Sequence, residues 1–193
     1  MNQSNQQSRR RIVAGAADMI RRRGLNATSV RELAKHAQAP LGSTYHYFPG
    51  GKRQLAAEAV RFAGDDAART LRAELQSGPA DGLRAFLDLW RNLLTATDHR
   101  AGCPVLAVAV EETDEDAAEP LAAAAEVFAH WESLLAESLR AHGASGQQAE
   151  QIATLVVASV EGAVVLCRAQ RSTRPLDRVA AQLDTVVTTA TSA

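Results

Sequence analysis

The segment PLGSTYHYFPGGK, from Pro40 to Lys52, carries an unusual concentration of flat and polar side chains. Only 4% of the chain is aromatic, yet two tyrosines and a phenylalanine stand here within four positions. Hydroxyl, phenol and imidazole groups can hydrogen-bond to phosphate oxygens and base edges, and small residues allow a helix to approach them closely. Core packing and contact with another molecule are the two uses that would explain such a segment.

A short helix over this segment would sort its residues onto two faces, at about 100° per residue. The face expected to pack inward comprises Leu41, Thr44 and Phe48. The opposite face comprises Gly42, Tyr45 and His46, with Ser43 and Tyr47 at its flanks. The helical wheel therefore predicts both core packing and contact with another molecule, the inner face lying in the core and the outer face contacting a partner.

The residues around this helix fit the same interpretation. Pro40 is well tolerated in the first turn of a helix, and FPGG ends the helix before Lys52 opens the next one. A positive charge at a helix N-terminus is poorly placed for the helix dipole. The position of Lys52 therefore indicates a phosphate group opposite it.

The two elements before this segment predict a helix-turn-helix. A first helix runs from about Ser8 to Arg23, with Gly24 as its stop. In TSVRE, Ser29 and Glu32 have the spacing of a capping box that starts a second helix. Only about three or four residues separate the second helix from the third, which is the layout of a motif whose second helix enters the DNA major groove.

Almost every later segment also has the composition of a helix, and no period-two alternation is sustained. The sequence predicts an all-α fold of about nine helices. The later ones are expected at about 52–76, 80–98, 103–112, 117–142, 146–170 and 176–191. We find no apolar run near the roughly 18 residues of a membrane span and no apolar leader, so a cytoplasmic protein with reduced Cys103 and Cys167 is expected.

Charge is distributed very unevenly along the chain. Residues 1–61 carry 11 basic and 3 acidic residues, a net charge of +8, whereas the remainder carries 10 basic and 19 acidic residues, a net charge of −9. Such asymmetry indicates an anionic partner for the basic part, either nucleic acid or a membrane surface. A solvated charged face is the alternative, and the modest apolar stripe of the first helix speaks against membrane binding.

Residues 28–55 resemble the N-terminal domain of the TetR family of bacterial transcriptional regulators; they read TSVRELAKHAQAPLGSTYHYFPGGKRQL. The resemblance implies a homodimer, each subunit having a DNA-binding head and a larger helical body for ligand binding and dimerisation. We place the head at 1–52, with a disordered tail at 1–7, and the body at 53–193. By motif position, the implied DNA contacts are Thr28, Arg31, Leu41, Gly42, Ser43, Tyr45, His46, Tyr47 and Lys52.

Three residues depart from the usual pattern of the family. Gln38 stands where the turn often has glycine, Pro40 replaces the usual Ser/Thr cap, and Thr44 replaces an apolar residue. The hydroxyl of Thr44 can bond back to a helix carbonyl. In addition, FPGGK and the later GCPV (102–105) resemble a subgroup that contains regulators of multidrug efflux, some of which answer to flavonoids.

Aromatic and aliphatic residues spread over several helices of the body predict an apolar effector pocket, although each could instead belong to the core. The predicted pocket comprises Phe62, Phe86, Trp90, Leu94, Leu106, Phe128 and Trp131. Its candidate polar partners are Asn92, Glu111, His130, Glu161 and Arg168.

The segment ATLVVASVEGAVVLC is small and apolar nearly all round, and a helix of this kind is buried on every side. We therefore expect it to pair with a second subunit, together with the last helix. The predicted dimerisation residues are Val156, Ser159, Val160, Ala163, Val164, Leu183 and Val187.

The resulting hypothesis is a repressor that leaves a palindromic operator when a small apolar effector binds. A helical dimer that acts only as a protein-binding adaptor is the alternative, but it leaves the basic head unexplained. No catalytic motif occurs in the sequence, so we expect neither an enzyme nor a cofactor. Asp98, His99 and Cys103 lack a fourth ligand, so no metal site is predicted, and no membrane partner is expected.

Overall fold

The structure, a computed structural model, describes residues 3–111 and 118–192. Within these ranges the chain forms nine α-helices and one 3-10 turn, and no strand, which confirms the predicted all-α class. The helices are α1 (Gln3–Arg23), α2 (Val30–His36), α3 (Leu41–Tyr47), α4 (Gly51–Glu74), α5 (Pro79–Ala96), α6 (Pro104–Ala109), α7 (Ala118–Ala141), α8 (Gly146–Gln170) and α9 (Arg174–Thr191). The 3-10 turn, Leu75–Ser77, follows α4 directly.

The first helix begins earlier than expected. It starts at Gln3, so the prediction of a disordered tail is wrong for residues 3–7, while residues 1 and 2 lie outside the described range. Within the extension, Oδ1 of Asn5 accepts the hydroxyl of Tyr47 at 3.3 Å. The first turns of α1 are thus tied to α3.

The chain divides into two compact units that do not follow the predicted boundary at residue 52. The first unit comprises residues 1–65 and 103–127, and the second comprises 66–102 and 128–193. Helices α1, α2, α3 and α6 therefore belong to one unit, and α5, α8 and α9 belong to the other. The predicted boundary missed this division because α6 returns to pack on α1 after a long excursion of the chain.

Helix α8 corrects the expectation that no segment is apolar enough to span a membrane. It is 25 residues long, and its most apolar window has a mean hydropathy of 1.8. It is the only such helix in the described part of the chain. Half of that window is buried within the chain, as in the core helix of a globular fold, so length and composition alone do not make α8 a membrane span.

Candidate functional site

The turn between α2 and α3 sets the direction of the short helix α3. Ser29 and Glu32 form the predicted capping box at the start of α2, with their side chains bonded to each other's backbone N–H groups. At the other end of α2, Gln38 has a φ of 52°, in the left-handed region. Glycine is the usual residue in that conformation, so Gln38 takes a backbone shape that most side chains disfavour.

Close packing of α1 on the end of α2 fixes the spacing of the first two helices. A Cβ placed on Gly15 would lie 2.9 Å from the Cβ of Ala37. On the exposed side, Nε2 of His36 lies 3.0 Å from Oδ2 of Asp18, which also binds Arg22. Burial raises the pKa of Asp18, but the hydrogen bond and charge of Arg22, with the His36 hydrogen bond, lower it on balance. Asp18 therefore carries its charge at neutral pH and links the two helices.

The two faces of α3 are those predicted from the helical wheel, apart from Leu41. Thr44 and Phe48 are buried, at 0% and 1% exposure, and the hydroxyl of Thr44 donates back to the carbonyl of Pro40. Phe48 also lies 5.1 Å from the guanidinium carbon of Arg9. Leu41 is only half-buried. The inward face thus anchors α3 to α1, and Leu41 lies between core and surface.

The outward face of α3 presents the side chains that could read another molecule. Gly42, Tyr45 and His46 are exposed, and 52% of Tyr45 is accessible. Ser43 and Tyr47 are half-buried at the flanks. No neighbouring atom lies within 4 Å of a Cβ built on Gly42, so this part of the surface is open for close approach. The arrangement is an accessible surface of hydroxyl, phenol and imidazole groups with a glycine among them.

Two cations of the predicted contact set are accessible. Arg31 on α2 is exposed, and Lys52 is half-exposed in the first turn of α4. That turn contains no acidic residue, and in the described part of the chain no carboxylate pairs with Lys52. Gly51 begins α4 with a φ of 68°, and the N–H of Gly50 donates to Oε1 of Gln54 at 2.9 Å. The two glycines thus form the turn that leads from α3 to Lys52.

Thr28 is buried in the loop between α1 and α2. It is 3% exposed, and its hydroxyl donates to the carbonyl of Leu25 at 2.7 Å. In this conformation the Thr28 hydroxyl has a structural role within the α1–α2 loop, and its contact with DNA stays a prediction. The other residues of the predicted contact set are at least partly accessible.

In the second unit, four aromatic residues predicted for the effector pocket converge. The centroid of the Trp131 ring lies 5.5 Å from that of Phe86, 6.3 Å from that of Trp90 and 5.7 Å from that of Phe128, and all three pairs are edge-to-face. Phe86, Trp90 and Trp131 are buried, as is the predicted Leu94, and Phe128 is half-exposed. We call Phe86, Trp90, Phe128 and Trp131 the aromatic cluster.

Polar atoms without partners are buried in the same unit. Nε1 of Trp90, Nε2 of His99 and Oγ of Ser138 find no hydrogen-bond partner in the described part of the chain. An unpaired buried donor or acceptor costs about 1–3 kcal/mol. Such groups are therefore candidates for bonding to a bound molecule.

Other residues predicted for the pocket have different surroundings. Phe62 and Leu106 belong to the first unit, where the guanidinium of Arg10 lies 5.9 Å from the Phe62 ring. Glu111 also belongs to that unit, and its carboxylate accepts two backbone N–H groups of the α1–α2 loop. The prediction of Glu111 as a polar pocket residue is therefore wrong, and its partners could not be foreseen because they lie about 85 positions away.

The predicted dimerisation residues point into the chain's own core. Val156, Val160, Ala163, Val164, Leu183 and Val187 are all buried within the chain, and Ser159 is half-buried. The six buried side chains have no surface to offer a second subunit, so this part of the prediction is corrected. The exposed face of α8 carries Leu155, Val165 and Leu166, each about half accessible, with Ala158 and Gly162 between them.

Two of the three residues considered for a metal site, Asp98 and Cys103, have other partners. Arg171 pairs with Asp98 at 2.5 Å, and its hydrogen bond and charge lower the pKa of that carboxyl. The sulfur of Cys103 accepts the N–H of Leu106 at the start of α6. Among the described residues, no group of three or more His, Cys, Asp or Glu side chains could hold a metal ion.

Comparison with known proteins agrees with this geometry. Residues 12–59 match the bacterial regulatory proteins of the TetR family, and residues 79–182 match the C-terminal domain of LmrA/YxaF-like transcriptional regulators. An uncharacterised HTH-type transcriptional regulator of Mycobacterium tuberculosis is 42% identical over 179 residues, which cover 91% of each chain. The HTH-type transcriptional regulator LmrA of Bacillus subtilis is 33% identical over 172 residues, covering 88% of this chain and 90% of LmrA.

Solved structures share the fold. The regulatory protein TetR from Rhodobacter sphaeroides superposes with a TM-score of 0.80 at 21% identity, covering 92% of this chain and 97% of that one. Escherichia coli NemR in its reduced form gives a TM-score of 0.74 at 23% identity, covering 93% and 96%. With a helix-turn-helix that exposes a polar recognition face, and with family matches over both its N-terminal and C-terminal parts, the chain belongs to the TetR family of DNA-binding bacterial transcriptional regulators.

Proposed function

We propose that this regulator is a repressor that occupies a palindromic operator as a homodimer and leaves it when a small apolar effector binds the second unit. The observation that carries the proposal is the outward face of α3, where Tyr45, His46 and Gly42 are exposed together. As a DNA-binding regulator it would act in the bacterial cytoplasm, where the operator is accessible.

Contacts to DNA would divide into two kinds. Side chains on the outward face of α3 can reach base edges in the major groove, and Gly42 permits close approach. Arg31 on α2 and Lys52 on α4 would bind phosphates of the DNA backbone. Phosphate contacts release counterions, so affinity should fall steeply with salt, whereas specificity would reside in α3.

The second subunit would bind the exposed face of α8. Leu155, Ala158, Gly162, Val165 and Leu166 recur at helical spacing on that face and together form an apolar surface. The open space around Gly162 leaves room for another helix to come close. A rigid pairing here would hold two heads at the separation of about 34–36 Å that adjacent major grooves require.

The effector would bind at the aromatic cluster. The cluster is apolar and aromatic, and Nε1 of Trp90 is a buried donor without a partner in the described part of the chain. An effector that carries a hydrogen-bond acceptor would satisfy this donor. The resemblance of GCPV and FPGGK to regulators that answer to flavonoids, which are flat and carry such acceptors, supports the same class of molecule.

Release from DNA would follow from a shift between two conformations of the dimer. To convert a 99:1 preference for the DNA-binding form into its opposite, the effector must favour the other form by about 10⁴-fold, or about 5.5 kcal/mol. An effector with equal affinity for both forms would change nothing.

Selection of bound DNA from a random pool tests the proposal. We expect enrichment of a palindrome, and release of that sequence by some members of a panel of flat aromatic compounds. If no sequence is enriched at moderate salt, the operator-binding function fails and the adaptor alternative gains support. If an operator is found but activity at its promoter rises when the protein is bound, repression is the wrong mode.

A further inference from the structure

Glu111, two residues after the end of α6, binds the backbone of the loop between α1 and α2. Its Oε1 accepts the N–H of Leu25 at 2.6 Å, and its Oε2 accepts the N–H of Asn26 at 2.7 Å. One carboxylate thus binds two consecutive amides from 86 and 85 positions away along the chain. Hydrogen bonds to a charged acceptor are shorter and roughly twice as strong as neutral ones.

Gly24 makes room for this carboxylate. At the end of helix α1, the N–H of Gly24 donates to the carbonyl of Ile20 at 2.8 Å. Gly24 itself has a φ of 82°, which turns the chain out of the helix. A Cβ at this position would lie 2.0 Å from Oε1 of Glu111. A side chain at residue 24 would therefore be strained in its backbone and would also displace the carboxylate from the two amides.

The loop that Glu111 binds determines where α2 begins. The carbonyl of Leu25 accepts both the hydroxyl of Thr28, at 2.7 Å, and its N–H, at 3.1 Å. The next residue, Ser29, caps α2. A continuous set of bonds therefore runs from the carboxylate through Leu25 and Thr28 to the cap of the helix that precedes α3.

We propose that Glu111 is a positioning residue for operator binding, holding the α1–α2 loop in the one conformation that presents α2 and α3 to DNA. This inference rests on the proposed function of the head as the reader of an operator. Without the carboxylate the loop samples other conformations, and the apparent affinity falls with the fraction of molecules that remain competent.

The test compares Glu111→Gln with Glu126→Gln. Both variants remove one negative charge from the first unit, but Glu126 is exposed and pairs with the side chain of Arg61 at 3.0 Å. The measurement is the affinity for the selected operator and for random DNA of the same length, over a range of salt and well below the unfolding midpoint of each variant. Hydrogen exchange of the Leu25 and Asn26 amides is followed in the same samples.

For Glu111→Gln we expect a loss of operator affinity on the order of tenfold to a hundredfold, the range of a lost hydrogen bond to a charged group. Random-DNA affinity and the salt slope should change much less, because no phosphate-binding cation has been removed. Both amides should lose protection from exchange. Glu126→Gln should match the wild type in every measurement.

Gly24→Ala provides a second variant in case Glu111→Gln folds poorly. It keeps the charge of Glu111 but occupies the position of Oε1, so the same loss of operator affinity is expected. Wild-type operator affinity in either variant, whether or not its unfolding midpoint is lowered, would overturn the positioning role and leave the proposed function standing. A wild-type protein that selects no DNA sequence would overturn both.

Discussion

Gly15→Ala tests whether the spacing between α1 and α2 supports the DNA-binding head. The new Cβ would lie 2.9 Å from the Cβ of Ala37 and 3.2 Å from its Cα. Carbon atoms pack best at about 3.5–4.0 Å, so the two helices must separate by about 0.6 Å. Overpacking of this kind destabilises a protein by about 1–3 kcal/mol, whereas replacing glycine by alanine in a helix interior stabilises it by about 1 kcal/mol. We therefore expect a net loss of roughly 1 kcal/mol in the free energy of unfolding.

Ala37→Gly supplies the matching second change, because it removes the methyl group that Gly15→Ala would strike. Urea unfolding of the wild type, both single variants and the double variant gives the interaction energy between the two sites. We expect the double variant to be more stable than the sum of the single effects, by about 1 kcal/mol or more, and to regain operator affinity that Gly15→Ala loses. If the two effects add within about 0.5 kcal/mol, the close contact does not govern the head and the reasoning is refuted.

Three further predictions concern the head and the dimer. Because the pKa of Asp18 is lowered on balance, its carboxylate stabilises the fold at pH values above its ordinary pKa, and this stabilisation is lost as the pH falls. Asp18→Asn should therefore lower the free energy of unfolding at pH 7, and lower it much less at pH 3. Phe48→Ala empties a buried site, so it should lower the free energy of unfolding by about 3–5 kcal/mol in chemical denaturation and weaken operator binding as the head loses its fold. A leucine at Gly162 has space within the subunit, so Gly162→Leu should leave the thermal midpoint of the subunit unchanged. The variant should nevertheless sediment as a monomer in analytical ultracentrifugation. An unchanged dimer would exclude this face of α8 as the dimer interface.

Helix α3 shows how much of the site could be predicted from the sequence. A period of 3.6 residues assigned Thr44 and Phe48 to the inside and Tyr45 to the outside, and the observed burial confirms both. The capping box at Ser29 was equally predictable, because it depends on residues only three positions apart. Local periodicity and local side-chain bonding thus sufficed to predict the helix-turn-helix.

Features that depend on distant partners could not be predicted in the same way. Glu111, for example, binds the backbone of the α1–α2 loop from about 85 positions away along the chain. Apolar residues all round α8 gave no indication of which side faces its own chain, so Val160 was assigned outward while Leu166 is the exposed one. In each case tertiary packing, rather than propensity, determines which residue meets which surface.

The central claim, that the outward face of α3 reads DNA sequence, is tested most directly by the affinities of Tyr45→Ala and Lys52→Ala for the selected operator and for random DNA. The account predicts that Tyr45→Ala loses about 1–3 kcal/mol on the operator alone, whereas Lys52→Ala weakens both DNAs alike and reduces the salt slope by about one. Tyr45 is 52% exposed, so its loss should leave the fold unchanged. If Tyr45→Ala binds the operator as tightly as the wild type, or weakens both DNAs equally, the claim is contradicted.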